Sequence, residues 1–193
     1  KAEGLIHQGA EWCSSPQEVA KKCQIIFTIV GFPQDVEEVY FGSDGVFTQI
    51  NPETILIDMT TSKPSLANKI ANQANDNQAH ALDAPVSGGD VGAKEGTLAI
   101  MVGGKKVIFD QIIPLLELMG KNITYLGPAG SGQHTKMCNQ IHIASTMIGM
   151  FESILYAVKA GIDPDQMISV IGKGAARSWS INNLGHRITS GNY

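Results

Sequence analysis

Two short apolar runs constrain the fold of this 193-residue chain more than any other feature. The first is Q-I-I-F-T-I-V at 24–30, and the second is T-I-L-I-D-M at 54–59. Both runs are rich in β-branched residues, and neither alternates between apolar and polar positions. Such runs are typical of strands buried on both faces, as in a parallel sheet that is covered by helices.

Helix signals separate these runs from further strand candidates. At Ser15-Pro16-Gln17-Glu18, a serine cap precedes a proline at the first helical position and a glutamate at the third. We expect strands over 10–13, 24–30, 54–59, 79–84, 97–102 and 123–126, and helices over 16–23, 34–41, 64–75 and 106–120. Pro114 predicts a kink or break in the last of these helices. This alternation predicts an α/β fold with a largely parallel sheet.

The last third of the chain has a different pattern. Residues 131–160 carry a continuous apolar pattern that predicts one long helix, which Gly161 ends. Asp163-Pro164 opens a short helix to about 171, and 178–189 is expected to be helical. We therefore expect the long helix to lead into the start of an all-helical domain.

Charge and composition exclude several function classes. The formal net charge is −4 and the basic residues form no run, which argues against a nucleic-acid partner. No uninterrupted apolar run approaches the roughly 20 residues that span a bilayer, so we expect no membrane partner. The three cysteines have no ligand-like spacing with each other or with histidine. We expect reduced thiols, no metal site and a cytoplasmic location.

The loops that follow the predicted strands are the most unusual segments of the chain. Ligands of open parallel sheets bind outside the carboxyl ends of the strands. The segments expected at these ends are 30–33, 60–63, 87–92 and 127–132. Their coincidence predicts a binding site at this edge of the sheet.

The glycine-rich turn at 127–132 runs directly into the long helix. Lys136, Asn139 and Gln140 follow at spacings of three and four residues, so they share one helix face. A protonated lysine can donate a proton, whereas service as a base requires burial or a neighbouring cation to lower its pKa. The spacing is compatible with a general acid or base at Lys136, although a solvated surface lysine is the more ordinary interpretation of such a residue.

Each glycine-rich segment has two interpretations. Gly127, Gly130 and Gly132 could cradle a phosphate at the helix start, or could pack a turn closely against the sheet. The 87–89 segment, Ser-Gly-Gly, could bind a carboxylate or phosphate through its backbone N–H groups, or could be a flexible loop. The Gly103–Gly104 pair is expected to form a turn.

Two aspartates stand at the ends of predicted strands. Asp58 could serve as a base, although a residue in this position more often caps the following turn. Asp83 has the same two interpretations, and the sequence leaves both open.

Three motifs in order resemble the β-hydroxyacid dehydrogenase family. D-A-P-V-S-G-G at 83–89, followed by G-A-K-E-G-T-L-A-I-M-V-G-G at 92–104, resembles the family's substrate loop. G-x-x-G-S-G-Q-x-x-K-x-x-N at 127–139 resembles its catalytic segment, and D-M-T-T-S-K-P at 58–64 resembles a strand end that contacts the cofactor. The resemblance covers most of the chain and implies a Rossmann-like fold with NAD or NADP as the cofactor.

The resemblance also implies a role for each matching residue. Lys136 would be the catalytic acid or base. The remaining residues would bind the substrate or the cofactor: Ser87, Gly88 and Gly89 for the substrate carboxylate, Asn139 and Gln140 for substrate orientation, and Val30, Gly31 and Thr61 for the cofactor.

The sequence departs from the family pattern in three ways. The family's first strand and glycine fingerprint are not found, so the choice between NAD and NADP is undetermined. Gln140 stands where many relatives carry asparagine. The chain stops before the helix on which the family carries a second active-site lysine. We therefore expect a fragment at both ends, with an incomplete cofactor domain over 1–127, an incomplete helical domain over 128–193, and weak or no activity by itself.

The resemblance implies an enzyme that moves hydride between NAD(P) and a small β-hydroxyacid or its semialdehyde. It also implies a homodimer or homotetramer, with the helical domain forming the dimer. One alternative is a related imine reductase, although such relatives usually lack the lysine. Another alternative is a non-catalytic module that binds dinucleotides or supports dimerisation.

Overall fold

The computed structural model describes residues 2–192 and contains a mixed β-sheet within them. Its strands, in chain order, are β1 (Ile25–Thr28), β2 (Ile55–Asp58), β3 (His80–Asp83), β4 (Val86–Ser87), β5 (Leu98–Gly104) and β6 (Gly120–Gly127). The helices of the same part of the chain are α1 (Glu3–His7), α2 (Pro16–Lys22), α3 (Pro33–Phe41), α4 (Pro64–Asp76), α5 (Gly89–Glu95) and α6 (Lys106–Leu116), with a 3-10 turn at Val46–Thr48. The chain then forms α7 (Ser131–Lys159), α8 (Pro164–Ile171) and α9 (Trp179–Thr189). The expected α/β class, with a long helix and further helices after the sheet, is confirmed.

The sheet is less uniformly parallel than the sequence suggested. β1, β2 and β3 are parallel neighbours, and β6 is parallel to β5. β5 is antiparallel to both β3 and β4. A parallel return to β3 would require a crossover connection, usually a helix long enough to carry the chain back along the sheet. Here only the short elements β4 and α5 lie between β3 and β5, so β5 runs in the opposite direction to β3.

Two apolar clusters cover opposite faces of the sheet. Ile55 and Ile57 of β2 belong to one cluster, whereas Leu56 between them belongs to the other. α6 packs on the first face, and α3 and α4 contribute to the second. All four β2 residues are buried, as predicted for a strand that is covered on both sides.

Several local predictions were wrong. Residues 10–13 form no strand. Gly103 and Gly104 form no turn but end β5, and the expected loop at 85–96 contains β4 and α5. α6 ends at Leu116 and β6 begins at Gly120, so the helix is shorter and the strand longer than predicted. Pro114 lies inside α6, so the chain does not leave the helix there, and a kink at this residue stays a prediction.

The chain divides into two compact units, Lys1–Lys136 and Met137–Tyr193. The domain boundary predicted after residue 127 stays a prediction. In the second unit, Met150, Ile168 and Ile181 form a small apolar core, and the side chains of Asp163 and Ser178 cap α8 and α9. By length and composition alone α7 could cross a membrane, which is weak evidence because core helices of soluble proteins pass the same test. The expected lack of a membrane partner therefore also stays a prediction.

Candidate functional site

Lys136 lies in the second turn of α7 and is buried, with only 8% of its surface exposed. Burial lowers the pKa of its ammonium group, because the neutral amine is easier than the charged form to keep away from water. The structure thus excludes the solvated surface lysine that the sequence left open. A buried lysine with a lowered pKa can exchange a proton more readily near neutral pH than a surface lysine can.

Asp83 fixes the backbone at the start of α7. The carboxylate oxygens Oδ1 and Oδ2 accept hydrogen bonds of 2.8 Å from the backbone N–H groups of Gly130 and Gln133, respectively. Burial raises the pKa of the Asp83 carboxyl, and these backbone N–H groups oppose that rise. The residue therefore acts as a cap, but for a helix 47 residues further along the chain and not for the adjacent turn.

Gln133 connects the same helix turn to the loop after β2. Its Oε1 accepts a hydrogen bond of 2.8 Å from Ser62 N–H, and its Nε2 donates one of 2.7 Å to the Thr60 carbonyl oxygen. The residue is only 1% exposed. One amide group therefore holds the backbone on both sides of Thr61.

The network continues to the ends of the first two strands. Thr60 N–H donates to Asp58 Oδ1 at 3.0 Å, and Thr60 Oγ1 accepts from Val30 N–H at 3.0 Å. Burial raises the pKa of Asp58 to about 6, and the nearby charge of Asp83, its register partner on β3, acts in the same direction. Asp58 is thus a cap for its own turn, the more ordinary of its two interpretations.

The glycines near α7 serve close packing. A Cβ atom on Gly132 would lie 2.7 Å from the Asp83 carbonyl oxygen, and one on Gly103 would lie 2.8 Å from Gly132 N. Gly127 and Gly130 have φ values of +125° and +89°, which L residues rarely adopt. Because Asp83 already binds the Gly130 N–H, the packing interpretation of this turn is favoured over the phosphate cradle.

The predicted substrate segment joins a strand to a helix. Ser87 ends β4 and pairs with Ala99, whereas Gly88 precedes α5 and Gly89 begins it. Gly88 and Gly89 are exposed and have φ values of +139° and +64°. The segment therefore has defined structure and exposed backbone, and its binding of an anion stays a prediction.

The predicted cofactor residues follow adjacent parallel strands. Val30 and Gly31 come after β1, and Thr61 comes after β2, whose last residue is in register with that of β1. Val30 is half-buried, and Gly31 and Thr61 are exposed. The structure thus brings these three residues to one edge of the sheet.

Asn139 and Gln140 belong to the second compact unit. Asn139 Nδ2 donates to Gln140 Oε1 at 3.0 Å, and the Gln140 side chain is exposed. Their role in substrate orientation stays a prediction. Within residues 2–192, His, Cys, Asp and Glu side chains form no group of three or more that could hold a metal ion.

No role was predicted for Gln133, Thr60 or Ser62 from the sequence, although all three lie within the motifs described above. Gln133 is the only long polar side chain of the G-S-G-Q turn, which was the available signal. Its partners lie 71 and 73 residues away, and no local pattern could identify them.

Two family models match consecutive parts of the chain. The model described as the NAD binding domain of 6-phosphogluconate dehydrogenase matches residues 1–127. The model described as NAD-binding of NADP-dependent 3-hydroxyisobutyrate dehydrogenase matches residues 130–193.

Individual relatives agree with these matches. An uncharacterized oxidoreductase, YkwC of Bacillus subtilis, is 55% identical over the whole chain, which covers 67% of that protein. The 2-hydroxy-3-oxopropionate reductase of Escherichia coli is 39% identical over 97% of the chain and 64% of its own length. The chain thus spans about two thirds of the length of these curated relatives.

Solved structures show the same fold. The 3-hydroxyisobutyrate dehydrogenase of Mycobacterium tuberculosis, solved with L-serine, has a TM-score of 0.84 and 30% identity, covering 94% of this chain and 62% of that one. An imine reductase from Myxococcus stipitatus, solved with NADP+, has a TM-score of 0.79 at 17% identity, covering 99% of this chain and 66% of that one. The second likeness shows the fold alone.

Proposed function

Because this chain belongs to the β-hydroxyacid dehydrogenase family of NAD(P)-binding oxidoreductases, we propose that it interconverts a small β-hydroxyacid and its semialdehyde. The observation that carries the proposal is Lys136, buried on the second turn of α7 with a lowered pKa. The names of the E. coli reductase and the M. tuberculosis dehydrogenase support a small substrate in which the reacting hydroxyl or carbonyl group lies close to a carboxylate.

In the proposed reaction, Lys136 donates or accepts the proton. In the reducing direction its ammonium group gives a proton to the carbonyl oxygen of the substrate, and in the oxidising direction its neutral amine removes the hydroxyl proton. The nicotinamide of the bound cofactor supplies or accepts the hydride. The lowered pKa supports both directions, because it brings the charged and neutral forms closer in free energy near neutral pH.

The other predicted residues bind and orient the reactants. Ser87, Gly88 and Gly89 hold the substrate carboxylate through a hydroxyl group and exposed backbone N–H groups, which the exposure of both glycines supports. Asn139 and Gln140 orient the substrate through their amide groups. For the cofactor, the shared sheet edge supports contacts from Val30, Gly31 and Thr61.

We also propose a homodimer or homotetramer in the cytoplasm. Large apolar side chains of the second unit are exposed in the single chain, which supports burial in an assembly: Ile141, Ile148, Leu155, Tyr156 and Trp179. Light scattering should give two or four times the mass of one chain, and a single-chain mass would contradict the assembly.

A substrate panel tests the function. The longest natural form of the protein should be supplied with NADH or NADPH and with 2-hydroxy-3-oxopropionate, methylmalonate semialdehyde, a semialdehyde lacking the carboxylate, and a cyclic imine. The proposal predicts turnover of the two carboxylated compounds at least tenfold above the others. Preferred reduction of the imine would indicate an imine reductase, and saturable cofactor binding with no turnover would indicate a non-catalytic module.

A further inference from the structure

The side chain of Gln133, in the first turn of α7, is buried and hydrogen-bonded through both its amide oxygen and its amide nitrogen. It is 1% exposed, its side chain both accepts and donates, and its own N–H is held by Asp83 at 2.8 Å. Asp83 of β3 thus holds the backbone of Gln133, and the loop after β2 holds its side-chain amide group. Such a residue has little freedom to move independently of either element.

The two side-chain bonds of Gln133 lie on either side of Thr61. Its Nε2 donates to the Thr60 carbonyl oxygen, and its Oε1 accepts from Ser62 N–H. Thr61 itself is exposed and is free to face a ligand. Gln133 therefore holds the backbone of a proposed cofactor residue without covering its side chain.

Gln133 also lies three residues before Lys136 on α7. Residues at this spacing are neighbours on a helix surface and move together with the helix backbone. We propose that Gln133 is a positioning residue, which sets the distance between Lys136 and the cofactor loop around Thr61. This inference rests on the proposed function, because it assumes that proton transfer at Lys136 accompanies hydride transfer at the cofactor.

The chemistry of the position requires an amide of this length. The amide group of glutamine offers one acceptor and two donors, whereas an ionised glutamate offers only acceptors and a methionine offers only a weakly accepting sulfur. Gln133→Met keeps the approximate volume and removes both bonds. Gln133→Glu keeps the acceptor for Ser62 N–H and removes the donor to Thr60.

The test compares kcat and KM in the longest natural form of the protein. Gln133→Met should lower kcat about 10- to 100-fold while the KM values for substrate and cofactor stay within about threefold, because misplacement of reacting groups by an ångström costs rate more than binding. Gln133→Glu should also lower kcat, because its ionised carboxylate would face the Thr60 carbonyl oxygen, and it serves as the second variant if Gln133→Met does not fold. Gln111→Met, at an exposed position on α6, is the matched control and should leave kcat unchanged.

A double variant separates positioning from general structure. If Gln133 acts through Lys136, adding Gln133→Met to Lys136→Met should change the residual rate by less than about twofold. A kcat within threefold of the parent in folded Gln133→Met, or equal losses in both backgrounds, would overturn the inference. If Lys136→Met loses turnover while Gln133→Met keeps it, the proposed function stands and only the positioning role of Gln133 is refuted. Normal turnover in Lys136→Met would remove both.

Discussion

The two glycine-rich segments of the first unit look alike in sequence and differ in structure. At 127–132 the backbone is held by Asp83 and packs tightly against the sheet, whereas at 87–89 the two glycines are exposed. A Cβ on Gly89 would meet nothing within 4 Å. A glycine pattern therefore does not tell whether backbone N–H groups are free for a ligand. That depends on which side chains reach them from elsewhere.

The largest difference in stability between the two segments should appear when one glycine in each is replaced by alanine. Gly132→Ala would place a Cβ 2.7 Å from a backbone carbonyl oxygen, which cannot move aside without shifting β3, so we expect a loss of about 3 kcal/mol or more. Gly89→Ala enters open space and has only the strain of a φ of +64°, for which we expect about 1 kcal/mol. Urea denaturation of both variants measures the difference, and equal losses would contradict the contrast between the segments.

A smaller effect is expected from the aspartate near each segment. Asp83→Ala leaves the buried N–H groups of Gly130 and Gln133 without their acceptor, at an expected cost of about 2–4 kcal/mol. Asp90→Ala, at an exposed position directly after the other segment, should change stability by less than about 0.5 kcal/mol. The free energy of unfolding of each variant is the measurement. A loss below 1 kcal/mol in Asp83→Ala would show that water replaces the carboxylate and that the turn is not held as described.

The smallest effect is the dependence of stability on pH that comes from Asp58, whose carboxylate accepts the hydrogen bond from Thr60 N–H. Its folded pKa of about 6 lies above the ordinary value of 3.8, so its contribution to stability is full below pH 3.8 and is lost as the pH rises through 6. The parent protein should therefore lose about 2 kcal/mol between pH 4 and pH 7 relative to Asp58→Asn, whose amide oxygen can still accept from Thr60. Unfolding curves at pH 4, 5, 6 and 7 test this, and parallel pH dependences of the two proteins would refute it.

The fold was predictable where the local pattern matched the final environment. The β2 run lacks alternation because it is buried on both faces, and Ser178 and Asp163 cap their helices as short polar residues commonly do. β4 and α5 were missed because two strand residues and a glycine-rich helix give no periodic signal. The direction of β5 depends on that same connection.

The site was predictable only as a set of segments. The loops after β1 and β2 follow parallel strands in register, so their meeting at one edge follows from the fold class. The bonds of Asp83 and Gln133 join residues 47 to 73 positions apart, and they form only when the first turn of α7 lies beside β3 and the loop after β2. The burial of Lys136 has the same origin, and neither spacing nor composition could reveal it.

Replacement of the Lys136 side chain shows whether this residue transfers the proton in the proposed reaction. Lys136→Met and the matched control Lys159→Met, at an exposed position in the last turn of the same helix, should be compared with the parent for turnover and NADPH binding. Turnover should fall by about 10²–10⁴ in Lys136→Met alone, while NADPH binding should be unchanged. Turnover close to that of the parent, with the same dependence on pH, would contradict this role of Lys136.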